Sequence, residues 1–216
     1  MIDVTAAADT TRSRRRTWMT GGVLFVASAL LGLGMVTVSG LPFSISQLLF
    51  HAGAVVFAIG LGRGGSVTGR RPLGTGAIIA LAVWSLVVAP VAWTLVNSAA
   101  PTDVGDLSTA AMVGTADEVV SLVLAIIAAV RIGRIAMVPR PWNWAPLWAL
   151  GAIVFAQLIP NLIAAAGSIS DQTLLDALFA VISLISASAV AFLGVVALVL
   201  ALRPAPGETV VFASQR

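Results

Sequence analysis

The stretch TRSRRRTWMTGGVLFVASALLGLGMVTVSG, residues 11–40, sets Arg12, Arg14, Arg15 and Arg16 against an uncharged run from Trp18 to Ser39. At about 1.5 Å of rise per residue, that run is long enough to cross a hydrocarbon core of roughly 30 Å. A basic flank before an apolar run also opens signal peptides. This run exceeds a typical signal core, however, and its end, Val-Thr-Val-Ser-Gly, offers no Ala-x-Ala cleavage site. It reads as a first membrane span that is retained. Residues 1–16 before it carry no apolar period and are expected to form a disordered basic tail.

Five more spans are read from uncharged runs and their flanks, near residues 45–62, 73–96, 115–138, 144–166 and 174–202. The fold class expected is therefore all-α: a six-helix membrane bundle over residues 17–203, with a second short tail at 204–216. Composition agrees. The 216 residues are 59% hydrophobic and 10% charged, with a mean hydropathy of +1.03. A soluble domain of this size could not cover its surface with so few charges.

The arginines give the orientation. All twelve basic residues are Arg, and they lie before span one, between spans two and three, at the end of span four and before span five, and after span six. The connections at 40–44, 97–114 and 167–173 contain none, and carry Asp103, Asp106 and Asp171 instead. Positive charge resists translocation, so both termini are expected in the cytoplasm. Exclusive use of Arg with abundant Ala, Val and Gly fits GC-rich codons, and hence a bacterial plasma membrane. The pI of about 11.3 follows this topology rather than a basic face, so nucleic acid is not an expected partner. Trp18, Trp142, Trp144 and Trp148 fall beside the arginines, where the amphipathic ring favours the headgroup zone; Trp84 falls mid-span and suits packing between helices.

Helix starts repeat. Ser44-x-x-Gln47, Thr115-x-x-Glu118 and Thr173-x-x-Asp176 each resemble a capping box. Gln47 and Glu118 are each followed sixteen residues later by Arg, and Arg71-Pro72 and Arg140-Pro141 each open the next span, with proline suited to the first helical turn. Spans 2–3 and 4–5 can be aligned on these features as tandem hairpin repeats. The competing explanation is that any inward-ending span acquires Arg and any helix start a cap.

Candidate chemistry is sparse. With no Cys and one His, thiolate, Fe–S, bis-His haem and His-rich metal sites are excluded within the chain, and no metal or cofactor is expected. Asp117 and Glu118 are helix-capping groups if span four starts at Thr115, the favoured reading. If it starts near Leu107, they lie inside the membrane and become candidates for proton or cation binding. His51 suits a hydrogen-bonded structural role, with pH sensing as the alternative. Gln157 and Asn161 share a face beside the kink at Pro160, and Pro90 with Thr94 and Asn97 gives span three a comparable break. Such polar breaks can line a solute or ion path, and they also serve as interhelical glue.

Small residues at four-residue spacing, Ala54, Ala58 and Gly62 in span two and Ser183, Ala187 and Ala191 in span six, allow close helix packing. That packing is expected within the bundle, in a homo-oligomer or against a membrane partner. The loop from Arg63 to Arg70 is Gly-rich without the Gly-Lys-Ser/Thr ending of a P-loop, and reads as a flexible basic loop facing lipid headgroups. Two functions are expected in this order: a small permease or channel-like bundle for a small solute or ion, then an accessory or scaffolding subunit. An intramembrane enzyme ranks last: it would need convergent nucleophile, base or metal ligands, to which only Asp117, Glu118 and His51 could contribute, and no catalytic residue is expected.

Overall fold

The computed structural model describes residues 4–34, 44–61, 66, 68, 69, 71–98, 104–135, 142–165 and 172–203. Among them regular structure is helical: α1 (Val4–Leu33), α2 (Ile45–Ile59), α3 (Pro72–Val83), a π-helical turn (Trp84–Val88), α4 (Ala89–Ser98), α5 (Val104–Ile135), a short 3-10 turn (Trp142–Trp144), α6 (Ala145–Ala165) and α7 (Gln172–Leu202). The segments from Pro72 to Ser98 run on as one helix. Five helices are long and apolar enough to cross a membrane, within Thr11–Leu33, Pro72–Ser98, Thr109–Ile135, Trp142–Ile159 and Gln172–Leu202. Helix α2 has 15 residues, a rise of about 22 Å, and is the short member.

Local chemistry explains these bounds. The Ser44 hydroxyl accepts the Gln47 N–H at 3.2 Å while the Gln47 side chain accepts the Ser44 N–H at 3.1 Å, so α2 opens on a reciprocal capping box. It ends at Gly60, whose φ of 74° favours glycine. The Ala58 carbonyl left over at that end accepts the hydroxyls of Ser66 (2.6 Å) and Thr68 (3.1 Å). Both side chains are buried, so this part of the 63–70 segment folds back onto α2 rather than forming a flexible loop. Arg71 caps α3 with Pro72 at its first position, as expected.

Two expected boundaries are corrected. Helix α1 starts at Val4, so residues 4–16, read as disordered, are helical; Ala6-Ala-Ala8 supports helix by propensity where no apolar face is required. Helix α5 starts at Val104, not Thr115. Nothing between Leu107 and Thr115 stops a helix, and Ala110, Ala111 and Met112 favour one. The Thr115 hydroxyl donates back to the Ala111 carbonyl at 2.8 Å, the bond of a residue inside a helix. Likewise Thr173 lies within α7, and Asp176 accepts from the Gln172 amide at 3.3 Å. The shared caps behind the tandem-repeat alignment thus reduce to the first.

Helices α1, α2, α3, α5, α6 and α7 follow one another around a closed ring, with the fullest packing where α7 meets α1. Neighbours run antiparallel. Reciprocal bonds of 2.8 Å join the Ser28 and Ser46 hydroxyls to each other's carbonyls near one end of α1 and α2. At the other end Thr17 accepts the Leu61 N–H at 2.8 Å. Trp18 clusters there with Ala197, Leu200 and Ala201, against Ile132 and Trp142. Arg12, Arg14, Arg15, Arg16, Arg71, Arg131, Arg134 and Arg203 therefore gather at this one end; Arg63, Arg70, Arg140 and Arg216 lie outside the described residues.

Close approach is achieved by small residues. A Cβ placed on Gly194 would lie 2.8 Å from the Gly22 carbonyl oxygen, and one on Gly22 would lie 2.9 Å from that of Gly194. Of the expected stripes, Ala54 and Ala58 pack inside the bundle with Ala77, Ile78 and Ala128. Ser183, Ala187 and Ala191 are half-buried, whereas Ala189, Gly194, Ala197 and Ala201 are the buried small residues of α7. Gly62 lies outside the described residues. Trp18 is 5% exposed and lies within the core beneath the Arg14 guanidinium at 5.5 Å.

Candidate functional site

The interior of the ring holds a cavity of about 200 Å³ that every helix except α4 helps to line. Trp18 of α1, Phe57 of α2, Ile78 of α3, Ala125 of α5, Ala149 of α6 and Leu193 of α7 represent the six walls, and all the lining residues are apolar. The aromatic side is set by α1 and α2: Phe25 stacks on Phe50 at 5.2 Å and tilts on Phe57 at 5.3 Å, and Phe57 meets Trp18 edge-on at 6.1 Å. Across from them α5 and α6 contribute Ala125, Ala128, Ala129, Ala145 and Ala149 among larger apolar side chains. Large rings across from small side chains leave a void that neither wall can fill by rotamer changes. At ~24 cal/mol per Å³, leaving such a volume empty would forfeit on the order of 5 kcal/mol of contact energy.

The acidic pair lies along α5 above this cavity. Glu118 precedes Ala125, Ala129 and Ile132 by seven, eleven and fourteen residues, so all four project from one helix face, and the last three line the cavity. Asp117 precedes Ser121 and Ala128 by four and eleven and so faces α3, where Ala128 packs with Ala77 and Ile78. The Trp84 indole N–H donates to Asp117 Oδ1 at 2.7 Å, and the Ser121 hydroxyl approaches the same atom at 3.4 Å. Asp117 is half-buried, and Glu118 is exposed.

Trp84 can reach Asp117 because its own helix is irregular there. It opens the π turn, and its carbonyl accepts the Ala89 N–H, five residues on. Pro90 follows at once; it has no N–H, and in a regular helix its ring would press on the Leu86 carbonyl. The widened turn absorbs that conflict. The sequence flagged Pro90 as a break, but Trp84 as a site residue was missed. An indole N–H inside an apolar run needs an acceptor, and that need was the available signal.

The remaining candidates are scattered. Asn97 is exposed on α4, and Thr94 donates to the Pro90 carbonyl at 2.7 Å. Gln157 is exposed on α6; the side chains of Pro160 and Asn161 lie outside the described residues. Helix α4 packs on α5, while α6 packs on α5 and α7. His51 is buried on α2, edge-on to Phe50 at 5.3 Å. Among the described residues no three His, Asp or Glu side chains converge.

Comparisons with protein-family models, with curated proteins and with solved structures found no match to this chain.

Proposed function

We propose that the protein is a permease-like membrane bundle of six spans that holds a small, largely apolar solute in its central cavity. In this reading α2 is the sixth span, the arginine-rich end faces a bacterial cytoplasm, and both termini lie on that side. The observation that carries the reading is the cavity itself. A void of about 200 Å³ without a polar lining side chain suits an apolar group and disfavours a hydrated ion, whose charge would be stripped of water without replacement ligands. The earlier choice of "solute or ion" narrows accordingly.

The test uses bromine, which quenches tryptophan on contact. Trp18 and Trp142 line the cavity, so a brominated alkane should quench the purified protein saturably. Ala125→Phe, which fills the void, should abolish the saturable phase. Quenching that persists unchanged in that variant contradicts the reading.

An accessory subunit is the second reading, favoured by the groove between α6 and α7. Trp148, 76% exposed, and Phe192 line it, and a partner helix would cover both. A stoichiometric membrane partner retained in mild detergent, and released by Ser188→Leu in that groove, would support it.

A further inference from the structure

We infer that the solute is an amphiphilic organic cation, with its apolar part in the cavity and its charge paired with Glu118. The inference rests on the cavity reading above and assigns it a substrate class.

The first support is position. Glu118 stands two helical turns above Ala125 on the cavity-facing side of α5, a rise of about 10 Å. A face of α5 turned roughly 80–140° from Glu118 carries Met112, Val119, Val123 and Ile126, which are 72%, 54%, 48% and 41% exposed. Those side chains form the face suited to lipid, and Glu118 stands instead on the line of α5 that continues through the cavity-lining Ala125, Ala129 and Ile132. Its carboxylate has no hydrogen bond or ion pair among the described residues. Asp117, in contrast, is engaged by Trp84 and Ser121, which fixes this turn of α5 and hence the direction in which Glu118 leaves it.

The second support is charge. No Arg lies between Arg71 and Arg131 or between Arg140 and Arg203, and the chain has no Lys; its one histidine, His51, is buried on α2 against Phe50. Glu118 is thirteen residues from Arg131, about 20 Å along the helix. A carboxylate at that height stands within a hydrocarbon layer of roughly 30 Å measured from Arg131, where an unpaired charge is costly. A cation brought by the solute relieves that cost; a neutral solute does not. A permease is also needed for such a molecule, because its charge blocks passive crossing.

The experiment measures tryptophan quenching in the full-length protein by a brominated alkyltrimethylammonium and by the neutral brominated alkane of equal length. Wild type should bind the cation more tightly. Glu118→Gln should weaken the cation by about tenfold, or ~1.4 kcal/mol, and leave the neutral probe unchanged; Glu118→Asp should restore part of the difference. Equal cation affinity in wild type and Glu118→Gln, with the neutral probe still bound, overturns the cation assignment alone. Loss of the preference in Asp117→Asn but not in Glu118→Gln overturns the choice of carboxylate. Failure of both probes to quench wild type overturns the cavity reading and this inference together.

Discussion

Adding one methyl group at Gly194 should loosen the closure of the helical ring. The Cβ of Gly194→Ala would come within 2.8 Å of the Gly22 carbonyl oxygen, 2.8 Å of Val26 Cγ2 and 3.0 Å of the Val26 nitrogen. Two of these three atoms are backbone, so rotamer changes cannot relieve the overlap. Restoring ordinary contact at 3.4 Å requires α1 and α7 to separate by about 0.6 Å, a strain of the order of 1–3 kcal/mol. Alanine's better helix propensity returns at most about 1 kcal/mol, which leaves a net loss of roughly 1–2 kcal/mol. Gly151→Ala is the control, because a Cβ there meets nothing within 4 Å, and it should be neutral or mildly stabilising. Thermal unfolding followed by far-UV circular dichroism in detergent compares the two. Combining Gly22→Ala with Gly194→Ala should cost less than the two single changes added, since the first already parts the helices. If Gly194→Ala melts no lower than Gly151→Ala, the backbone contact between α1 and α7 is refuted.

Three other predictions address separate parts of the molecule. Trp84→Phe removes the 2.7 Å bond to Asp117 and should cost about 1.5–3 kcal/mol in the same unfolding assay, as expected for a bond to a charged acceptor; an unchanged melting curve counts against the bond. Thr68→Val should cost about 1 kcal/mol because Ser66 still serves the Ala58 carbonyl, whereas adding Ser66→Ala orphans it and should cost disproportionately more. Since the chain has no Cys, Ser98→Cys and Arg203→Cys can be introduced singly and labelled in intact cells with an impermeant maleimide. Label at position 98 and protection at 203 is the expected result, and the reverse pattern overturns the orientation.

The apolar helices of membrane-crossing length were legible because apolar runs are a one-dimensional signal. The Ser44/Gln47 box and the Arg71-Pro72 start were legible for the same reason: each is settled within four residues of chain. The start of α5 was not, since Thr115-x-x-Glu118 satisfies the cap pattern while Ala110, Ala111 and Met112 carry the helix through it. That error also decided the site. A cap would have put Asp117 and Glu118 at the helix end, and the longer helix instead places them thirteen and fourteen residues past its first residue, Val104. The contact of Trp84 with Asp117, the Gly22 crossing with Gly194 and the cavity are tertiary facts. They depend on which helices become neighbours, and spacing along one helix does not encode that.

Counterflow in proteoliposomes tests the proposed function most directly. Vesicles loaded with an unlabelled alkyltrimethylammonium are diluted into the radiolabelled cation, and transient uptake above the equilibrium level is followed. Wild type should give a saturable overshoot that Ala125→Phe abolishes. Uptake no greater than in protein-free vesicles, or an overshoot that survives Ala125→Phe undiminished, would contradict a solute path through the central cavity.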